Sequence, residues 1–256
     1  IYANMGEMDN KGVDANLEYQ TRIGNKVGLR LFGNLTYSKN KIVFRDEPAM
    51  QYAYQKSEGT RYGEFYGYIA EGYFQSEEEI KKSPRQMREL APGDIKYKDL
   101  NDDGVIDAND QCYLGKSWFP SWSYGMGFNI NYHNFDLALF FQGVSDVSIM
   151  ANGGSIDTGN GDGGASGVGI GPFTGMGLNP SNVITKALDR WTADNPRADA
   201  WYPRMTANAT TNDNNYVNST HWLKDGSYLR LKQASLGYTL ENKKLMDKGI
   251  EYLYFY

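Results

Sequence analysis

Residues 121–132 (SWSYGMGFNINY) alternate without a break between large apolar and small polar side chains. The apolar positions are Trp122, Tyr124, Met126, Phe128, Ile130 and Tyr132. Because strand side chains point to opposite faces with period two, the segment predicts a two-faced β-strand. After a short turn, residues 135–143 resume the same apolar phase. The two segments predict a hairpin that is apolar outside and polar inside, which is typical of a transmembrane barrel.

The spacing of the strand-like segments carries a second signal. Strands are predicted at 12–20, 26–37, 121–132, 135–143, 227–240 and from about Ile250. Their connections alternate between short ones, at 21–25, 133–134 and 241–249, and long ones, at 38–120 and 144–226. Each long connection has about 80 residues, against a usual median of about 4–6. Outer-membrane barrels have this parity, with short periplasmic turns and long extracellular loops, whereas a soluble β-sandwich does not require it.

The fold class that follows is all-β, as part of a large antiparallel transmembrane β-barrel with long extracellular loops at 38–120 and 144–226. A sheet with two open edges cannot lie in hydrocarbon, where every backbone polar group needs a partner. The last predicted strand is also short for a span of about 9–11 residues. We therefore expect residues 1–256 to be one part of a larger barrel.

The strand predicted at 227–240 changes phase along its length. Leu229 and Leu231 fall in one phase, whereas Leu236 falls in the other. Either a bulge near Gln233 reconciles them, or the first half of the strand rises above the membrane.

Composition narrows the function classes. The chain has 256 residues, a net charge of −5, 20 tyrosines and a single cysteine, Cys112, so it cannot form an intrachain disulfide. No stretch approaches the roughly 18 consecutive apolar residues of a transmembrane helix. The acidic balance and the absence of a basic stripe argue against a nucleic-acid partner. The abundant tyrosines suit aromatic girdles at the lipid headgroups.

Residues 99–110 (DLNDDGVIDAND) have the spacing of a calcium-binding loop. The predicted ligands are Asp99, Asn101, Asp103, the Val105 carbonyl, Asp107 and Asp110, at loop positions of about 1, 3, 5, 7, 9 and 12. Gly104 stands where such a loop turns sharply. Aspartate replaces the usual glutamate at the last position, as in dockerin-like loops, which leaves the preference for Ca²⁺ over Mg²⁺ open. The sequence predicts a structural Ca²⁺ site that pins a long loop.

Catalysis is the weakest interpretation. His133 and His221, the only histidines, have no nucleophile or metal spacing around them, so we expect no enzymatic activity. Several loop aromatics can in principle stack on sugar rings, namely Trp118, Trp191, Trp201, Tyr202, Tyr216 and Trp222. Packing of the loops is the simpler role for them, so none is assigned as a binding residue.

The chain resembles the SusC/RagA family of TonB-dependent outer-membrane transporters. The resemblance lies in GDIKYKDLNDDGVIDANDQCYLGKSWFPSWSYGMGFNINYHNFDLALFFQG (93–143), GEMDNKGVDANLEYQ (6–20), RWTADNP (190–196), YPR (202–204) and STHWLKDGSYLRLKQASLGYTL (219–240). These motifs keep their order over most of the chain. Asp102 stands where the family commonly has glycine.

The resemblance implies a plugged barrel of about 22 strands in the outer membrane of a Gram-negative bacterium. It implies energy from TonB, contacted through a part of the protein outside this chain, a SusD-like surface lipoprotein as partner, and outer-membrane lipid around the barrel. The implied cargo is an oligosaccharide or, less often, a peptide. The alternative is a soluble, secreted, calcium-stabilised carbohydrate-binding module, which solubility without detergent would reveal.

Overall fold

A computed structural model describes residues 5–24, 26–152, 173–174, 182–183, 185–205 and 213–256. Within these ranges the strands are β1 (Gly6–Ile23), β2 (Val27–Arg45), β3 (Glu64–Gly67), β4 (Ala70–Tyr73), β5 (Ile95–Tyr97), β6 (Cys112–Ser117), β7 (Trp122–Tyr132), β8 (Phe135–Ser145), β9 (Ser148–Met150), β10 (Phe173–Thr174), β11 (Asn182–Val183), β12 (Leu223–Asp225), β13 (Tyr228–Leu240) and β14 (Leu253–Phe255). Two short helices accompany them, α1 (Glu77–Lys82) and α2 (Lys243–Met246). None of the helices in these ranges is long and apolar enough to cross a membrane.

The chain divides into two compact units. One contains Asn10–Lys39, Phe119–Val147 and Gly226–Tyr256, and we call it the sheet unit. The other contains Ile1–Asp9, Asn40–Trp118 and Ser148–Asp225, and we call it the loop unit.

Six strands pair side by side in one sheet, in the order β1–β2–β7–β8–β13–β14. The pairings from β2 to β14 are antiparallel. All six strands predicted from the sequence are present, and each belongs to this sheet. β1 and β2 are longer than predicted and reach back to Gly6 and forward to Arg45. The hairpin between β7 and β8 turns at His133, whose φ is +52°.

The phase change in β13 is a bulge. The pairing of β13 with β8 shifts register between Leu231 and Gln233. Leu231 then lies opposite Phe141, and Leu236 lies opposite Leu137. Since Phe141 and Leu137 share one face of β8, the extra residue returns both halves of β13 to the same face. The bulge expected near Gln233 is confirmed.

The loop unit is built from short two-stranded pairs, β3 with β6, β4 with β5, β9 with β12, and β10 with β11. Its core consists of aromatic and aliphatic side chains, of which the largest fully buried ones are Trp222, Tyr97, Tyr202, Phe74, Ile95, Ile106 and Met150. Ser76 caps the N-terminus of helix α1, and its Oγ accepts a hydrogen bond from the Glu79 amide at 3.2 Å.

A buried carboxylate joins the two long connections inside the loop unit. Asp94 is only 1% exposed and accepts two hydrogen bonds from the Arg204 guanidinium, at 2.9 and 2.8 Å. It also accepts from Asn215 Nδ2 at 2.8 Å and from the Ala91 amide at 2.9 Å. Asn215 in turn accepts from the Ile95 amide at 2.8 Å. Asp94 therefore fixes two segments that are 110 residues apart in sequence.

We predict that Asp94→Asn loosens the loop unit. Removing the charge of a buried ion pair costs roughly 3 kcal/mol of stability, because Arg204 loses its bidentate partner. Limited proteolysis and thermal melting of the purified protein measure the effect. Asp199→Asn is the matched control, since Asp199 pairs with Arg197 at 3.0 Å but is 80% exposed. Equal resistance of the two variants would show that the Asp94 pair is dispensable.

Candidate functional site: a two-faced sheet and a calcium-type loop

One face of the sheet presents large apolar side chains in continuous rows. Leu29, Ile130, Leu137 and Leu236 follow one another across four strands, and Leu31, Phe128, Leu139 and Ala234 form the next row. Many side chains on this face are exposed, such as Leu17 at 75%, Met126 at 48% and Leu236 at 63%. In a soluble sandwich a second sheet would cover this face. Its exposure here suits contact with lipid.

Aromatic side chains lie at both ends of the apolar face. Tyr37 and Trp122 are 4.4 Å apart at one end, and Phe135 and Tyr238 are 4.7 Å apart at the other. Trp122 and Tyr132 are the first and last residues of the 11-residue strand β7. At about 3.3 Å per residue they are roughly 33 Å apart along the strand. After a tilt of about 40°, this distance spans the apolar band of about 25 Å that such barrels present to lipid.

The opposite face is polar and joined by side-chain hydrogen bonds across the strands. Arg30 donates to both carboxylate oxygens of Glu18, at 2.9 and 3.0 Å. Thr36 Oγ1 donates to Asp14 Oδ1 at 2.9 Å. Near the turn between β1 and β2, a cavity of about 680 Å³ is lined by Arg22, Lys26, Gly28, Arg30, Asn129, Asn131 and neighbouring residues. This face therefore has the chemistry of a water-filled interior.

The calcium-type loop, residues 99–110, folds on itself through its carboxylates. Asp99 Oδ2 accepts from the Gly104 amide at 2.8 Å, and Asp103 Oδ1 accepts from the Val105 amide at 2.9 Å. Asp110 is fully buried and accepts from the amides of Leu100 and Asp107, at 2.7 and 2.9 Å. Gly104 has a φ of +82°, as the sharp turn at this position requires.

A neighbouring turn holds this loop from one side. Tyr54 donates its hydroxyl proton to the Asn109 carbonyl at 2.7 Å, and Gln55 Nε2 donates to the Ala108 carbonyl at 3.2 Å. Asn101 Nδ2 lies 3.3 Å from the Tyr52 hydroxyl. The loop is thus tied to residues 52–55, which follow β2 in the chain.

The predicted ligand positions of the loop all supply oxygen atoms, which are the donors that a hard cation such as Ca²⁺ prefers. Asp99 Oδ1 is shielded from solvent and has no hydrogen-bond partner in the described part of the chain. Asn101 Oδ1 accepts from the Asp103 amide at 3.1 Å, and Asp107 Oδ1 accepts from the Asn109 amide at 2.7 Å. Across the described ranges, no three acidic, histidine or cysteine side chains converge as metal ligands. The calcium site therefore stays a prediction.

Four of the six loop aromatics are core residues. Trp191, Tyr202, Tyr216 and Trp222 are at most 5% exposed, and Tyr216 stacks on Trp222 at 5.7 Å. Trp201 is half-buried and carries the Lys224 ammonium over its ring at 5.0 Å. Trp118 is 55% exposed. For the four buried side chains, the packing role expected from the sequence is confirmed.

His221 is a packed side chain of the loop unit. Its Nε2 lies 3.3 Å from the Tyr73 hydroxyl, which donates to the Ala200 carbonyl at 2.8 Å, and its ring meets Trp222 edge-on at 4.7 Å. Burial, and to a smaller extent the nearby Lys224 charge, lower the pKa of His221 from 6.5 to about 4. The ring is therefore neutral at physiological pH and serves packing.

Comparison with known proteins decides the relationship. The chain is 25% identical to TonB-dependent receptor P3 of Formosa agariphila, over 99% of this chain and 24% of the receptor. It is 26% identical to TonB-dependent receptor P26 of the same organism, over 97% of this chain and 24% of the receptor. This chain is a relative of the TonB-dependent receptors. No protein-family model matches it.

Solved structures agree on the fold. The RagAB peptide importer in its closed-closed state matches 95% of this chain and 24% of the importer chain, with a TM-score of 0.62 and 21% identity. The open-open state matches 94% of this chain and 23% of the importer chain, with a TM-score of 0.61 and 20% identity. The chain thus spans about a quarter of the length of its relatives. The predicted barrel fold, the resemblance and the outer-membrane location are confirmed. The matching proteins are receptors and importers, which is consistent with a role other than catalysis.

We predict that a charge is tolerated on only one face of β7. Phe128→Arg places a cation at mid-strand on the apolar face and costs about 2–4 kcal/mol of barrel stability. Asn129→Arg, one residue further along, places the same cation on the polar face opposite Arg30, where repulsion between the like charges costs less than about 1 kcal/mol. The two variants are folded into lipid vesicles, and heat-modifiable gel mobility gives the folded fraction of each. Equal folding yields would contradict the assignment of the faces.

We also predict that the loop unit weakens as the pH falls from 6.5 to 4. Because the pKa of His221 is lowered on folding, the unfolded chain takes up a proton in this window that the folded chain refuses. Stability therefore falls by up to about 1.4 kcal/mol per pH unit. Urea titrations followed by tryptophan fluorescence at pH 7 and pH 5 measure this loss.

His221→Gln should lose less stability between these two pH values than the wild type, and His133→Gln should behave like the wild type. The same pH dependence in His221→Gln would assign the effect to other groups.

Proposed function

We propose that this chain forms part of the barrel wall and of the extracellular loops of an outer-membrane importer that takes up a nutrient with energy from TonB. The observation that supports this most is the two-faced sheet, whose register and exposed apolar face suit a barrel wall in lipid. The match to TonB-dependent receptors over nearly the whole chain supports the energy source.

The larger barrel follows from the edges of the sheet. Within the described part of the chain, β1 and β14 each pair on one side only, and β1 has 18 residues. Unpaired backbone groups of this number are costly in hydrocarbon. We infer that further strands of the same importer pair with both edges.

The partner that we propose is a SusD-like surface lipoprotein, held by the loop unit. A partner protein docks on a surface of fixed shape, and the aromatic core and the buried Asp94–Arg204 pair keep the shape of the loop unit fixed. Its aromatic core draws residues from both long connections, so the described residues of the loop unit need not be ordered by partner binding.

The cargo that we propose is an oligosaccharide, and a peptide is the second candidate. The peptide is favoured by the structural match, since the matching structures are described as a peptide importer. Burial of Trp191, Tyr202, Tyr216 and Trp222 removes four candidate sugar-stacking residues from the loops. Support for a sugar cargo must therefore come from the polar face of the sheet.

Uptake by the complete importer tests this function. We expect cells that produce it to accumulate labelled oligosaccharides from hydrolysates of starch, xylan or cellulose, and to lose uptake when TonB is deleted. A labelled peptide digest is offered in parallel. Uptake of peptides alone would assign the second cargo class. Import that survives TonB deletion would contradict the energy source.

We further propose that residues 99–110 bind Ca²⁺ or, less favourably, Mg²⁺ through Asp99, Asn101, Asp103, the Val105 carbonyl, Asp107 and Asp110. Support comes from the spacing, the turn at Gly104 and the unpartnered oxygen of Asp99. The ion would brace the long connection that contains the loop and would neutralise its clustered carboxylates.

We predict that Ca²⁺ protects residues 94–115 of the detergent-purified importer from proteolysis and that EDTA removes this protection. Asp103→Asn should weaken Ca²⁺ binding on the order of tenfold or more, because affinity follows the number of charged ligands. Asp102→Asn is the matched control, since Asp102 is exposed, occupies a non-ligand position and has a φ of +58° that asparagine tolerates. Cleavage that is identical in Ca²⁺, Mg²⁺ and EDTA would reject the site.

A further inference from the structure

Two phenylalanines interrupt the polar face of the sheet. Phe32 of β2 and Phe140 of β8 both lie directly opposite Gly127 of β7, one on each side. Their neighbours on the same face are polar, such as Asn34 on β2 and Gln142 on β8. Large apolar rings on the wet side of a barrel wall gain nothing from lipid and need another explanation.

Glycines on the intervening strand make room for both rings. A Cβ on Gly127 would lie 2.5 Å from Phe32 Cζ, and a Cβ on Gly125 would lie 3.0 Å from Phe140 Cζ. The ring tips therefore reach across β7 from opposite sides. The two ring centroids are 5.9 Å apart, and their planes differ by 13°. We call Phe32 and Phe140 the aromatic pair.

Polar groups surround the aromatic pair. The Arg30 guanidinium lies over the Phe32 ring at 5.0 Å and is held there by Glu18. Asn34 lies opposite Gly125 in the register, and so does Gln142. Gln142 Oε1 is shielded from solvent and has no hydrogen-bond partner among the residues that the structure describes. An acceptor of this kind calls for a donor from outside the sheet.

We propose that the aromatic pair is a stacking site for a sugar ring of the imported oligosaccharide. This rests on the proposed function and names a contact for its cargo inside the barrel. A sugar ring has an apolar C–H face that packs on the rings and hydroxyl groups at its edge. Those hydroxyls can donate to Asn34 Oδ1, and to Gln142 Oε1 once its side chain turns toward the bound ring, and they can accept from Arg30. An apolar side chain of a polypeptide would fill the same place without satisfying Gln142.

The test measures binding of the oligosaccharide that the wild-type importer takes up from the hydrolysates, using the complete importer in detergent. We expect Phe32→Ala and Phe140→Ala each to weaken binding by about tenfold, the loss that follows from one stacking contact. Gly127→Ala keeps both rings but displaces Phe32, so it should weaken binding similarly. Phe140→Tyr keeps the ring and should bind like the wild type.

Phe141→Ala is the matched control, because Phe141 is the next residue of β8 and lies on the apolar face, opposite Met126 and Leu231. Heat-modifiable gel mobility gives the folded fraction of each variant. Unchanged affinity per folded importer in Phe32→Ala and Phe140→Ala would overturn the site and assign the pair to contact with polypeptide.

A loss of the same size in Phe141→Ala would also overturn the site. Failure of the proposed function gives a different result: the wild-type importer itself would take up no oligosaccharide. The sugar site would then be rejected together with the proposed function.

Discussion

A strand that borders lipid has to keep its apolar side chains on one face over its whole length. The side-chain period of a strand is two, so a slip of one residue would turn every apolar group to the wet face and every polar group to lipid. The bulge between Leu231 and Gln233 shows how strictly the sheet keeps this rule. Without the extra residue, Leu229 and Leu231 would lie on the face of Arg30 and Glu18. The register of three further strand pairings, the rows of apolar residues and the position of the aromatic ends all follow from the same constraint.

A second constraint acts on the loop unit. The described residues of the two long connections lose conformational entropy when they are ordered, and packing has to offset this loss. Closing a long loop costs little more than closing a short one, but ordering its residues costs about 1–2 kcal/mol each in backbone entropy alone. The aromatic core around Trp222 supplies the apolar burial that offsets this cost. Asp94 makes the arrangement of these segments specific. A buried carboxylate is tolerated only where Arg204, Asn215 and the Ala91 amide all donate hydrogen bonds to it.

The sequence predicted what is periodic and missed what is not. The six sheet strands could be found because alternation is a local signal, and even the bulge is visible as a change of phase at Gln233. The ends of β1 and β2 could not, since Lys39 to Arg45 and Gly6 to Lys11 lack the apolar alternation. The Asp94–Arg204 pair joins residues 110 positions apart, and nothing local to either indicates the other. For the calcium-type loop, spacing supplies the candidate ligands, but their side-chain directions depend on hydrogen bonds such as the one from Leu100 to Asp110.

The two faces of the sheet leave unequal freedom for cargo recognition. On the apolar face, lipid fixes the chemistry of every position, so specificity cannot be encoded there. On the polar face, the side chains contact the interior of the barrel, so their chemistry can vary with what binds there. Their size is limited by the side chains of the neighbouring strand. Phe32 and Phe140 reach across β7 only because Gly125 and Gly127 lack a Cβ. Within residues 28–40 of β2, Phe32 is the one large apolar residue in the polar phase, between Arg30 and Asn34. A break in the alternation next to a strand with paired glycines is thus a physical sign of a recognition position, because the register alone gives no reason for the ring.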